Sequence, residues 1–182
     1  LYSAEDLKTV MTILVWLNKG VSIGKVKPLL KKPQAISTGS LWDQLSSELL
    51  EISESLNQNK LESHLKQLSR EYPSDLFVSK LIKPWLAKLH DMDRADSQVI
   101  QHFSQNILKQ LLQQWIGSTS SKRCAVICCG ELHELEIPLL RYELQDMDVR
   151  SIDLGLLKPL QLGLAVDRLQ VDFILVCLGA GL

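Results

Sequence analysis

The residues best suited to chemistry are gathered in one stretch, 123–138, which reads R-C-A-V-I-C-C-G-E-L-H-E-L-E-I-P. Glu131 and His133 stand one residue apart just after Gly130, with Glu134 and Glu136 close behind. On spacing alone, His133 reads as an exposed histidine in the first turn of a helix. The carboxylates could also suggest acid–base work, yet no nucleophile or phosphate-binding loop accompanies them. Capping and solvation of a helix start are the simpler role. Cys124, Cys128, Cys129 and Cys177 lie in apolar runs without metal-ligand spacing, which reads as reduced thiols of a cytoplasmic protein. The adjacent pair Cys128-Cys129 points to opposite faces of a strand, which argues against a joint metal role. His64 and His90 have no partners at meaningful spacing and read as surface residues.

These groups need elements to position them. The apolar run 124–129 ends at Gly130 and a helix-like pattern follows, so a buried strand, a glycine turn and a helix are expected. Such a turn lies at the carboxyl end of a parallel strand, where α/β proteins place ligands. Downstream, the pattern predicts a helix over 134–145, a strand over 148–153, a helix over 159–169 and a strand over 172–177. Alternation of this kind gives a parallel sheet.

The first two thirds of the chain read as helical. Residues 4–18 repeat Leu7, Val10, Met11, Leu14 and Leu17 at helical spacing, with Ser3 as N-cap and Asp6 as its reciprocal partner. Gly20 stops that helix. A second helix, 22–30, carries Ile23, Val26, Leu29 and Leu30 on one face and Lys25 and Lys27 towards the other. Residues 33–40, P-Q-A-I-S-T-G-S, read as a linker. Four helical segments follow, over 41–56, 60–72, 75–89 and 97–116, and their short connections favour a four-helix bundle. Trp42, Trp85 and Trp115 are its expected core anchors, and Pro84 predicts a kink in the third segment. The composition of 117–122, G-S-T-S-S-K, is that of a flexible linker.

The totals narrow the class. The 182 residues are 46% apolar and 23% charged, with a net charge of −1. That balance carries no nucleic-acid footprint over the chain as a whole. No apolar run approaches the roughly 18 residues of a membrane span, and Glu5, Asp6 and Lys8 interrupt the first apolar segment as no signal peptide would. Both ends look cut, because the chain enters a helix at once and stops just after a strand.

A helix pair, a helical bundle and then Gly-Glu-x-His-Glu-Leu opening a β-α-β unit resemble the cobalamin-type regulators of the MerR family, particularly the MlrA-like branch. The opening L-Y-S-A-E-D-L, the helix ending in Asn18-Lys19-Gly20 and the following V-S-I-G-K-V-K-P-L-L resemble the back half of the MerR DNA-binding domain. The resemblance covers nearly the whole chain, with its specificity concentrated in residues 1–30 and 123–160. It implies a winged helix-turn-helix followed by a bundle and a Rossmann-like domain that clasp cobalamin, and a link to biofilm matrix genes. Glu131 and His133 match the acid and the lower axial cobalt ligand of Glu-x-His-x-x-Gly in the light-sensing, CarH-like members. Glu136 stands where that motif has Gly, adding bulk and charge. Asp153-Leu154-Gly155 with Pro159 matches the turn after the second strand. Gln101-His102 resembles the Glu-His pair over the upper corrin face, but Asp91 occupies the position of the accompanying Trp. Trp85 lies six residues earlier and out of phase with it. The family's Ser after the third strand is not evident at Cys177.

The resulting expectation is an α + α/β chain. Residues 1–32 are read as the tail of the DNA-binding domain, 33–40 as linker and 41–117 as a four-helix bundle. Linker 118–122 then leads to an incomplete Rossmann-like domain over 123–182. The expected function is the effector portion of a non-enzymatic, dimeric, cytoplasmic transcription regulator. Its cobalamin module is read as degenerate and acts in dimerisation or in binding a regulatory protein partner. Candidate pocket residues are Glu131, His133, His102, Gln101 and Gly155, with His133 as the cobalt ligand if cobalamin binds. Lys25 and Lys27 are candidate contacts to promoter DNA phosphates in an intact regulator. The rival readings are a true cobalamin sensor and a corrinoid carrier module of a methyltransferase.

Overall fold

A computed structural model describes residues 3–31, 41–117, 122–130, 132–157, 161, 163 and 168–179, the side chains of Lys27, Leu29 and Lys31 excepted. The chain is helical over its first part and continues into a small parallel sheet of three strands. It divides into two compact units, Leu1–Leu108 and Lys109–Leu182.

In the first unit, α1 (Ala4–Asn18) starts at Ser3 because two hydrogen bonds close a capping box. The Asp6 N–H donates to the Ser3 hydroxyl at 3.2 Å, and the Ser3 N–H donates to the Asp6 carboxylate at 2.8 Å. The Ser3 N–H, then the Ser3 hydroxyl, hold the Asp6 carboxyl below the usual carboxylate range. The helix stops at Gly20, whose φ of +86° suits glycine. After that turn comes α2 (Ile23–Lys31).

The turn is fastened to the helices beyond it, α3 (Leu41–Glu54) and α4 (Gln58–Glu71). The Trp42 indole donates to the Asn18 carbonyl at 2.9 Å, and the buried Tyr72 hydroxyl donates to the Gly20 carbonyl at 2.7 Å. Those carbonyls at the end of α1 would otherwise lack partners. The Trp42 and Tyr72 rings lie 4.6 Å apart, tilted by 50°, within the range of favourable aromatic pairs. A Cβ on Gly20 would lie 2.8 Å from the Leu41 Cβ. Only glycine permits this approach.

Helical segment 75–89 takes an unexpected form. A turn, α5 (Ser74–Leu76), runs into a π-helical stretch, Phe77–Ile82, and then α6 (Lys83–His90). Pro84 falls in the first turn of α6, where its missing N–H costs little. The Lys83 N–H reaches back to the Val78 carbonyl. The widened turn replaces a break at the proline. Phe77, Leu81, Ile82, Trp85 and Leu89 are fully buried with Leu49, Leu61 and Leu65. The Trp85 indole donates to the Ser53 hydroxyl at 3.3 Å, which itself donates to the Leu49 carbonyl at 2.7 Å. Then α7 (Ser97–Trp115) brings in Ile100 and Leu108.

One expected core face is open. Leu7, Val10, Met11 and Leu14 of α1 are all exposed, Met11 by 70%, and only Leu17 of that stripe is buried. Among the described residues, α1 makes its main contacts with α2, so the rest of its stripe has no cover within this unit.

The second unit is built on β1 (Lys122–Cys129), the middle strand in the order β2-β1-β3. It pairs in parallel with β2 (Val149–Leu156) and β3 (Phe173–Leu178), with an irregularity opposite β2 between Val126 and Cys128. Cys124 and Val126 pack with Ile137, Leu144 and Val149, which seats α8 (Glu136–Asp146) on one face of the sheet. Trp115 stacks on Tyr142 at 5.5 Å. Trp115, expected as an anchor of the bundle core, thus pairs with a ring of the second unit. The helix predicted over 159–169 lies largely outside the described residues. Among those described, no helix is long and apolar enough to cross a membrane.

Substituting Gly20→Ala should destabilise the first unit by about 2–4 kcal/mol in a denaturant titration, from left-handed strain plus the overlap with Leu41. A loss below about 0.5 kcal/mol would contradict this geometry.

Candidate functional site

Two places could do chemistry, one in each unit. In the second unit, β1 ends at Gly130 and its neighbours end alongside. The Gly179 N–H donates to the Cys129 carbonyl at 2.7 Å, and a Cβ on Gly130 would lie 3.2 Å from the Gly179 carbonyl oxygen. Two glycine backbones therefore pass closely where β1 and β3 give out. In an open parallel sheet whose second and third strands flank the first, the crevice at those carboxyl ends is the usual ligand position.

His133 is exposed in the loop between β1 and α8. Its Nδ1 accepts the Leu135 N–H at 3.3 Å, and its carbonyl accepts the Glu136 N–H at 2.9 Å. The imidazole thus closes a local turn on the backbone just before α8. Nδ1 is thereby engaged with the backbone, and Nε2 is the other nitrogen of this exposed ring. Glu131 lies outside the described residues. Glu134 is held by Lys109, whose Nζ donates to it at 2.7 Å. Glu136 is exposed as the first residue of α8, where the helix dipole favours a negative charge. Gly155, near the end of β2, donates its N–H to the Asp153 carboxylate at 2.8 Å and would have open space around a Cβ.

This edge is acidic and holds thiols. Burial first, then the Asp153 carboxylate, pushes the Cys128 thiol above its ordinary pKa. Burial, followed by Glu136 and Asp153, does the same to Cys177. His133 Nδ1 is turned to backbone, and Glu136 and Asp153 make this edge unfavourable to a bound anion. The described residues contain no group of three His, Cys, Asp or Glu able to hold a metal ion.

Gln101 and His102 adjoin each other on α7, Gln101 half-buried and His102 exposed. Both belong to the first unit, while His133 and Gly155 belong to the second.

The other place was not apparent from residue types. A groove of about 640 Å³ lies beside the Gly20 turn, floored by Val21, Leu41, Leu45 and Leu68 and rimmed by Lys25, Glu48, His64 and Glu71. Lys25 is exposed there among carboxylates, and the side chain of Lys27 lies outside the described residues. His64, expected to be a surface residue without partners, is instead 24% exposed and lies 3.8 Å from the Glu48 carboxylate. Its Nε2 is shut off from solvent without a hydrogen bond. The available signal was its place between Leu61 and Leu68, at the edge of the buried stripe of α4.

No protein-family model matches the chain, and no curated protein matches it.

Tyr72, which lines the groove, gives a pH test. Burial first and the Glu71 charge second push its hydroxyl up to about 12. A folded-state pKa raised above the unfolded value of about 10 gives stability that is intact below pH 10 and is lost as pH climbs towards 12. Denaturant titrations should show the wild type losing stability over that window more steeply than Tyr72→Phe. Parallel curves would contradict the buried hydroxyl.

Proposed function

We propose that this chain is the effector portion of a MerR-type transcription regulator, joined to the tail of its DNA-binding domain. On this reading, α1 and α2 are that tail, and α3 to α7 form the four-helix bundle of a cobalamin-type module. The sheet with α8 is the start of its Rossmann-like domain. One observation carries the reading. The helix pair, helical segments and parallel β-α-β unit follow one another in the family's order, with Gly-Glu-x-His-Glu-Leu leaving the middle strand. The strand order β2-β1-β3 supports it further, since doubly wound sheets of the flavodoxin-like kind begin 2-1-3.

The module acts without cobalamin, as a surface for dimerisation or for a regulatory protein. The engagement of His133 Nδ1 by the Leu135 N–H and the acidic carboxyl edge of the sheet both favour this over cofactor sensing. Lys25 would touch DNA phosphate only in the intact regulator, where a recognition helix supplies base readout. No catalytic role is assigned.

Sedimentation and DNA-selection experiments on the 182 residues test this reading. The expected result is a reversible dimer in the micromolar range, with no preference among DNA sequences. Tight, sequence-selective binding by this chain would overturn the domain assignment. A strict monomer that captures no regulator-class partner would overturn the platform role.

A further inference from the structure

Cys128 and Cys177 are direct partners across neighbouring parallel strands. Residues so paired have Cα atoms about 4.8 Å apart, inside the roughly 4.4–6.8 Å that a disulfide spans. Their side chains lie on one face of the sheet, because both pack against the cluster of Cys124, Val126 and Ile137. Cys129 alternates to the opposite face and is not part of this pair. All four cysteines are free, and Cys128 and Cys177 are only half-buried, which leaves them open to a small oxidant.

We propose that Cys128 and Cys177 are a redox modification site, closing into a reversible cross-strand disulfide when the protein meets a peroxide. The inference rests on the strand register and is independent of the function proposed above. One thiolate attacks a peroxide oxygen, the O–O bond breaks, and the cysteine becomes a sulfenic acid while hydroxide leaves and takes a proton. The second thiolate attacks that sulfur, the S–O bond breaks and the S–S bond forms, releasing a second water. Two thiols are oxidised and one hydrogen peroxide is reduced to two waters.

Geometry makes the bond reversible. In-register side chains stand about as far apart as their strands, beyond the mean Cβ separation of about 3.8 Å in disulfides. Closing the bond draws β1 against β3 and strains it, which raises its reduction potential and eases its reduction by thiols. The surrounding charges set the rate. Asp153 beside Cys128, and Glu136 with Asp153 beside Cys177, disfavour the thiolates beyond the effect of burial. Oxidation is therefore slow near neutrality and quickens as pH rises.

The test treats the folded chain with hydrogen peroxide, removes the excess with catalase, then counts thiols in denaturant and maps peptides by mass spectrometry. The expected result is a fall from the four thiols of the chain to two, with a linked Cys128–Cys177 peptide that dithiothreitol separates. Cys129→Ser should keep the link and Cys177→Ser should abolish it. The initial rate should rise between about pH 7 and about pH 9. Linkage of Cys128 to Cys129, cross-links between chains, sulfinic acid without a link, or survival of every thiol would each overturn the proposal. If Cys177→Ser does not fold, the wild-type peptide map decides alone.

Discussion

The first unit depends on how the end of α1 is held. At Gly20 the backbone turns into the left-handed region and lies so close to Leu41 that a side chain has no room. The buried Tyr72 hydroxyl and the Trp42 indole then satisfy carbonyls that a helix end leaves bare. Three separate pieces of chain meet there: the turn after α1, the start of α3 and the end of α4. The meeting buries Leu17, Val21 and Val26 and forms one wall of the groove beside His64. Packing density rewards such a fit, because a close-packed seam has no slack for an added methyl group.

In the second unit the corresponding constraint is the position of β1 between two parallel partners. A strand paired on both edges has no free ladder and reads as a continuous apolar run, as 124–129 does. Register then decides which chemical groups meet. It sets Cys128 opposite Cys177, places Asp153 opposite Val126, and brings Gly130 and Gly179 together where the strands end. The carboxylates flank thiols at this edge, and His133 is engaged with the backbone of the helix start.

Much of this order was legible in the sequence. Helical periodicity located α1, α3, α4 and α7, and the change of period at residue 122 marked the strands, because burial on one face imposes a fixed spacing. The Ser3–Asp6 cap was legible because its partners are local. What escaped depends on long-range geometry. The π-helical turn before Pro84 reflects how a proline is fitted into a packed helix, which periodicity does not register. The open face of α1 could not be foreseen either, since an apolar stripe does not say what covers it. His64 was misjudged because its partner Glu48 is on another helix. In Gly-Glu-x-His-Glu-Leu the His133 ring accepts the Leu135 amide at Nδ1, a contact that residue spacing alone does not announce. Glu131 and residues 158–160, on which part of the expected pocket falls, lie outside the described residues.

The proposed function turns on whether the loop after β1 binds cobalamin. The most direct measurement is a visible absorption titration of the protein with hydroxocobalamin and adenosylcobalamin, run in parallel with His133→Ala. The expected spectra are the sum of protein and free cofactor, identical for both proteins. Stoichiometric uptake, with a spectral shift that disappears in His133→Ala, would contradict it.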